Sequence, residues 1–261
     1  METFDYLKTF YEAKDEDTRL LSKRGNVEFQ TTVRYVEKYL KRGMRILEIG
    51  AGTGRYSHYF ARLGYTVRAV ELIPHNIKVF REKTAAGEDI EITEGNAIDL
   101  SCYADESFDI TLSLGPMYHL YTEEDKKRAL AEAYRVTKKG GLIFTAYCMN
   151  EPTVVQYCFV KDQLKPTMAR GMLDEHFHCL SSPAEIFELY RTEDITALTA
   201  PLVAERLHLV ATDLFTHYIP TVVENMDEET YALYLKYHFS VCERGDLIGI
   251  SNHTLDILRK T

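Results

Sequence analysis

Ile46-Leu47-Glu48-Ile49-Gly50-Ala51-Gly52-Thr53-Gly54 is the stretch on which the reading of this chain turns. The short apolar run from Arg45 to Ile49 enters three alternating glycines, and Tyr56 to Leu63 continues with helical spacing, which together predict strand, tight turn and helix. Glycines let a backbone turn sharply and come close to a ligand, while a helix start offers free N–H groups to a negative group. Two cofactor classes use such a turn. The dinucleotide fingerprint GxGxxG needs glycine where this chain has Arg55, and the glycines here run GxGxG instead.

Downstream, strands and helices alternate. Strands are predicted at Thr66 to Glu71, Ile90 to Thr93, Phe108 to Leu114 and Leu142 to Cys148, with a helix from about His75 to Ala86. Thr122 can cap a helix whose first turn holds Glu123, Glu124 and Asp125, whose last turn holds Lys138 and Lys139, and which stops at Gly140-Gly141. This rhythm predicts a mainly parallel sheet covered on both faces, with ligands beyond the carboxyl ends of its strands. Upstream, Tyr6 to Leu40 reads as helical, with Val33, Val36 and Leu40 on one face.

After Asn150 the rhythm breaks for more than fifty residues rich in Phe, Tyr, His and Met, and a strand at Leu207 to Thr212 resumes it. Within that insertion Ser182-Pro183-Ala184-Glu185 has the form of a capping box, which favours helix over strand for Ala184 to Tyr190. Asp227 to Arg244 reads as a further helix and His253 to Arg259 as a closing strand. The organisation expected is one structural domain: a helical cap over 1–44, a core over 45–150, a lid insertion over 151–206, and closing strands with an inserted helix over 207–261.

Composition narrows the class. The 261 residues, 45% hydrophobic, suffice for a substantial core, and 31 Lys+Arg against 40 Asp+Glu give a net charge of -9 that disfavours a phosphate backbone as partner. Lys126-Lys127-Arg128 and Lys138-Lys139 are the longest basic runs, and both are short. The polar amino terminus and the absence of a long apolar window predict a cytoplasmic protein without a membrane span. Cys102, Cys148, Cys158, Cys179 and Cys242 are odd in number and lack a CxxC pair, so reduced thiols are expected. His176, His178 and Cys179 lie close together, yet alternate residues without further ligands do not predict a metal site.

Glu71, at the end of the second strand, can accept both hydroxyls of a ribose, a device shared by several nucleotide cofactors. The more specific landmarks are Gly95-Asn96-Ala97-Ile98-Asp99-Leu100 and Asp105-Glu106-Ser107-Phe108-Asp109. With Glu48-Ile49-Gly50-Ala51-Gly52-Thr53-Gly54, these segments resemble the class I methyltransferases that use S-adenosyl-L-methionine (SAM). The likeness covers about Arg45 to Cys148. It implies a doubly wound, Rossmann-like sheet of seven mostly parallel strands in the order 3-2-1-4-5-7-6, with helical cap and lid insertions.

By the same resemblance, Glu48, Gly50, Ala51, Gly52 and Gly54 lie against the methionine part of SAM, with Glu48 an anion near two cationic groups. Glu71 and Leu72 hold the ribose. Asn96 and Ala97 face adenine, Asn96 replacing the more usual Asp with an uncharged acceptor. Leu114 lies in the loop Ser113-Leu114-Gly115-Pro116-Met117-Tyr118-His119 that separates cofactor from acceptor, and Tyr118 and His119 are candidates for orienting the acceptor or taking its proton. Leu114-Gly115 stands where nucleobase amino methyltransferases carry a polar residue, which argues against that chemistry, and an aromatic-lined, largely apolar pocket in net-negative surroundings would suit a small-molecule acceptor. Arg24, in the amino-terminal helices, is a candidate partner for the methionine carboxylate. Two rival readings stay open, an NAD(P)-dependent oxidoreductase and a SAM-binding module without catalysis. The insertion Glu151 to Ala204 and the helix Asp227 to Arg244 are expected to form a lid above the Ser113 to His119 loop.

Overall fold

The computed structural model describes residues 2–13 and 16–261, so Lys14 and Asp15 of the expected helical stretch lie outside the described residues. Three helices open the chain: α1 (Thr3–Ala13), α2 (Glu16–Arg19) and α3 (Lys23–Glu37). The core then alternates β1 (Arg45–Ile49), α4 (Arg55–Arg62), β2 (Thr66–Glu71), α5 (Pro74–Lys83), β3 (Ile90–Glu94), β4 (Phe108–Ser113), α6 (Glu123–Val136) and β5 (Thr137–Met149). Beyond it come α7 (Asn150–Thr153), α8 (Leu164–Ala169), the two-residue β6 (Leu189–Tyr190), α9 (Thr192–Thr199), β7 (Ala204–Ala211), α10 (Pro220–Glu224), α11 (Glu228–Val241) and β8 (His253–Lys260).

The sheet runs β3-β2-β1-β4-β5-β8-β7, with β6 pairing off this path against β5. All pairs are parallel except the two made by β8. Setting aside β6, this is the expected order 3-2-1-4-5-7-6. Central strands buried on both faces explain the near-continuous apolar runs. Ile46 packs with Val33, Val36 and Phe60 on one face, whereas Leu47 and Ile49 pack with Ala133 and Val136 on the other.

Thr122 caps α6 by accepting from the Asp125 amide at 3.1 Å. The helix nonetheless stops at Val136, earlier than expected, and β5 begins at Thr137. Lys138 and Lys139 are therefore strand residues, and Lys138 reaches Asp109 of β4 at 2.8 Å. The pairing of β4 with β5 breaks register between Phe108 and Ile110, which absorbs the positive φ of Gly140.

The expected helix over Ala184 to Tyr190 is also absent. Ser182 makes no cap bond, a single 3-10 turn covers Pro183–Glu185, and Ile186 takes φ 70° with ψ -47°. The Phe187 amide donates to the Glu185 carbonyl at 2.8 Å, closing a γ-turn around Ile186. A β-branched residue at positive φ is strained, so its neighbours must hold it there.

Candidate active site

The strand order reverses between β1 and β4, and a crevice forms where their following loops part. It opens into a cavity of about 650 Å³. Gly50, Gly52 and Gly54 all have positive φ, as the turn after β1 requires. At Gly52 a Cβ would meet no protein atom within 4 Å and would project into the cavity, whereas at Gly54 it would lie 2.4 Å from the Phe80 ring. The first glycine leaves room for a ligand; the second lets α4 pack on α5.

Glu48 is 2% exposed and hydrogen-bonded to Ser57 Oγ, and burial pushes its carboxyl up to about 8. At neutral pH it is mostly a neutral acid, not the expected anion. A cation placed beside it would draw the proton off. Glu71 is also buried, and burial raises its carboxyl; the amides of Gly52 and Ile73 donate to it at 2.8 Å each, and Asn76 Nδ2 does so at 3.3 Å. Asn76 Oδ1, beside it in the cavity wall, is buried without a partner, as is Arg55 Nε. An unpaired buried acceptor is costly, and a hydroxyl-bearing ligand would satisfy it.

Glu48, Gly50, Ala51, Gly52, Glu71, Leu72, Asn96, Ala97, Leu114, Tyr118 and His119 all line this cavity, while Gly54 lies behind its wall. Asn96 Oδ1 accepts from the Ile98 amide at 3.3 Å, an Asx turn that aims the loop after β3. Arg24 is elsewhere. Two other arginines line this cavity, Arg55 and Arg19, and two hydrogen bonds of Arg19, at 2.7 and 3.2 Å, go to Glu28. Arg19 lacked any motif around it, and so did Asn76, Phe4, Leu7 and Tyr11, which also line the cavity. Helical spacing marks them as packing residues and gives no hint of the roof they form.

Tyr118 and His119 occupy the 3-10 turn Pro116–His119. Burial holds the Tyr118 phenol well above its usual value, so it stays neutral. His119 Nδ1 is 2.8 Å from the Ile186 carbonyl, to which it donates, leaving Nε2 to accept from Tyr11 Oη at 2.7 Å. Tyr121 Oη also donates to that carbonyl, at 2.7 Å. The imidazole thus ties α1 to the strained turn at Ile186, and neither ring nitrogen offers an unengaged lone pair.

A second cavity of about 620 Å³ shares Tyr11, Arg19 and Tyr118 with the first. The insertion supplies much of its wall, through residues such as Thr153, Tyr157, Cys158, Thr167, Cys179 and Phe187, and Arg24 lies here. Helix α11, expected in the lid, contributes to neither cavity. Its Tyr231 donates to the Lys23 carbonyl at 2.8 Å, and its His238 sits 2.9 Å from Thr31, so its aromatic face is spent on α3. His253, Asp213 and Glu28 meet in the wall of the second cavity, with His253 Nδ1 2.9 Å from Asp213 and 3.4 Å from Glu28. Among the described residues this is the group whose side chains could converge on a metal ion; His176, His178 and Cys179 do not converge. Arg19 and the His253 proton already balance its two carboxylates.

Residues 47–145 match a family model described as a methyltransferase domain. A demethylmenaquinone methyltransferase of Renibacterium salmoninarum is 38% identical over 105 residues, 40% of this chain and 41% of that protein. A ubiquinone biosynthesis O-methyltransferase of Xanthomonas oryzae is 25% identical over 59% of this chain and 63% of its own length. The chain therefore spans about two fifths to two thirds of the length of these curated relatives. Among solved structures, a SAM-dependent methyltransferase of Thermotoga maritima, described as a possible histamine N-methyltransferase, superposes over the whole of both chains with a TM-score of 0.62 at 21% identity. One from Methanosarcina mazei covers 87% of this chain and 96% of its own, with a TM-score of 0.58 at 18% identity.

Proposed function

We propose that this chain is a class I SAM-dependent methyltransferase that transfers a methyl group from SAM to a small-molecule acceptor and releases S-adenosylhomocysteine. SAM supplies a methyl group already activated by its sulfonium. The chain's part is to bind SAM, place the acceptor's nucleophile and exclude water. One observation carries this reading: two cavities meet at Tyr11, Arg19 and Tyr118, one bearing the glycine turn and paired carboxyls, the other walled in large part by the insertion.

In this assignment Gly50, Ala51 and Gly52 receive the methionine part and Glu48 faces its cationic groups. Glu71, Leu72 and Asn76 hold the ribose, Asn96 and Ala97 line the adenine end, and Leu114 stands between cofactor and acceptor. Arg19 takes the place foreseen for Arg24. The 1–44 cap and the 151–206 insertion roof the 45–150 core, and 207–261 closes the sheet. Tyr118 orients the acceptor, and His119 positions the roof through Tyr11 and Ile186. A polynucleotide acceptor is disfavoured by the net charge of -9, and each of the two longest basic runs has one lysine already paired, Lys126 with Glu188 at 2.6 Å and Lys138 with Asp109. No described helix is long and apolar enough to cross a membrane.

The test is calorimetry with SAM, S-adenosylhomocysteine and NAD, followed by a screen of small acceptors with methyl-labelled SAM. S-adenosylhomocysteine should bind the wild type, NAD should not, and Gly52→Val should weaken binding by more than about a hundredfold, because the added side chain fills the cradle at a strained φ. Unchanged affinity in a folded Gly52→Val protein would sink the cofactor assignment. Binding without turnover on any acceptor would favour the non-catalytic module.

A further inference from the structure

We propose that His253 is the general base of this enzyme and that the acceptor in the second cavity is a phenol or an enol, a hydroxyl-bearing ring system. The proposal rests on the methyltransferase reading above and adds to it the acceptor's class and the destination of its proton. His253 opens β8 beside Cys148 of β5, at the edge of the sheet where the parallel strands end. Asp213 follows β7 and Glu28 comes from α3, so three separate elements deliver these side chains to one point.

The hydrogen bonds give the ring a direction. Both carboxylates face Nδ1, which therefore carries a proton toward Asp213. Asp213 is itself fixed, its Oδ1 accepting from Ser251 Oγ at 2.8 Å and from the His253 amide at 3.0 Å. Arg19 fixes Glu28. The Asn252 side-chain amide lies beside the ring, 3.1 Å from Nδ1 and 3.4 Å from Nε2, and among the described residues Nε2 has no other hydrogen-bonding partner. The ring keeps 16% of its surface exposed and forms part of the cavity wall, 5.8 Å from the Tyr118 ring that also borders the first cavity. An imidazole held at Nδ1 by a carboxylate, with its ring in the wall of a cavity, is built to accept a proton at the opposite nitrogen and to stabilise the imidazolium that results.

That equipment selects the acceptor. A neutral amine already offers a lone pair, and a thiol is partly ionised near neutral pH on its own, so neither needs a strong base. A phenolic or enolic hydroxyl becomes a good nucleophile only when its proton leaves. In the step proposed, the acceptor's O–H bond breaks and its proton goes to Nε2 of His253. The oxygen's electron pair bonds the methyl carbon, and the pair of the broken C–S bond stays on sulfur, giving neutral S-adenosylhomocysteine, the methyl ether and an imidazolium. The walls suit a ring: Tyr11, Tyr118, Tyr157, Phe187, Leu180 and Leu189 surround the space.

The charged and titratable groups facing His253 are Asp213, Glu28, Cys148 and His217, with Arg19 acting through Glu28 and Tyr118 remaining neutral. Burial alone would lower the imidazole's value, but the carboxylates override it and hold it well above the usual histidine range. The proton on Nε2 is therefore lost only above neutral pH, and turnover should rise with pH through that loss.

The experiment uses 4-nitrophenol, whose ionised form absorbs visible light, added to the complex of the whole protein with S-adenosylhomocysteine. Bound to the wild type, the probe should be phenolate paired with the His253 imidazolium, persisting to about one pH unit or more below the ionisation of the free probe. His253→Gln should keep its affinity for S-adenosylhomocysteine and lose the phenolate signal at least about tenfold. Asp213→Asn should shift the signal to higher pH, because the imidazolium loses its partner. The wild-type titration stands even where a variant does not fold. Failure of 4-nitrophenol to bind the complex, or a phenolate signal unchanged in His253→Gln, would overturn the proposal; failure of S-adenosylhomocysteine to bind the wild type would instead overturn the methyltransferase reading beneath it.

Discussion

Glu48 shows how one residue's chemistry depends on what fills the space beside it. Buried at the end of β1 and raised to about 8, its carboxyl is protonated at pH 7 in the ligand-free protein. A carboxyl whose folded value exceeds its unfolded one contributes stability that is complete below the unfolded value and is lost as pH rises through the folded one. In the ligand-free protein this residue therefore works against folding between about pH 4.5 and 8. A sulfonium or ammonium nearby reverses the preference. SAM binding should release a proton, and the affinity of SAM relative to uncharged-sulfur S-adenosylhomocysteine should rise between pH 6 and pH 8, with Glu48→Gln flattening the dependence. Calorimetry in buffers of different ionisation enthalpy measures the proton directly, and a SAM preference independent of pH would refute the role.

At the scale of elements, what sequence conveys is whatever is local. The turn after β1, the end of β2 and the cap of α6 are each set by a few adjacent residues, and all three were legible. The early end of α6 and the collapse of the Ser182 capping box were not, because partners distant in sequence decide them. Lys138 is claimed by Asp109, and the segment after Ser182 by His119, Tyr121 and the Tyr118 carbonyl, which accepts from the Glu188 amide at 2.7 Å. The strain at Ile186 makes that last junction testable. With His119→Ala, the Ile186 carbonyl loses one of two donors and Tyr11 loses its hydrogen bond to the imidazole. Amides of 183–188 and of α1 should then exchange roughly tenfold faster or more, a loss of about 1–2 kcal/mol of local protection, while those of β1, β4 and β5 keep theirs. Equal acceleration across the sheet would mean that His119 supports the whole fold and no local latch.

Over the whole molecule, the sheet provides the floor and the least buried elements provide the roof. The residues that line the first cavity at the strand ends were readable because the glycine turn and the strand-end carboxyl carry chemistry in their identity, whereas Arg19, Tyr11 and Asn76 join its wall only when helices fold back over the crevice. Helix α1 illustrates the division of labour. Of its residues only Leu7 is buried, yet Phe4, Leu7 and Tyr11 all border the first cavity. It contributes little apolar burial to the core and a large share of the cavity's enclosure. Removing residues 1–13 should consequently leave the sheet's thermal transition within a few degrees of the full chain's, the shift set by about 1 kcal/mol or less. The same truncation should weaken S-adenosylhomocysteine about tenfold or more, since a ligand left open to water keeps its contacts with the floor and loses those with the roof. Melting curves and calorimetry on the two proteins, with and without S-adenosylhomocysteine, separate the effects. Equal affinity with equal melting would show that α1 lies over the site without closing it. A large fall in melting temperature alone would make α1 part of the core, and the cavity's roof would then have to be sought in α2 and the segment around Ile186.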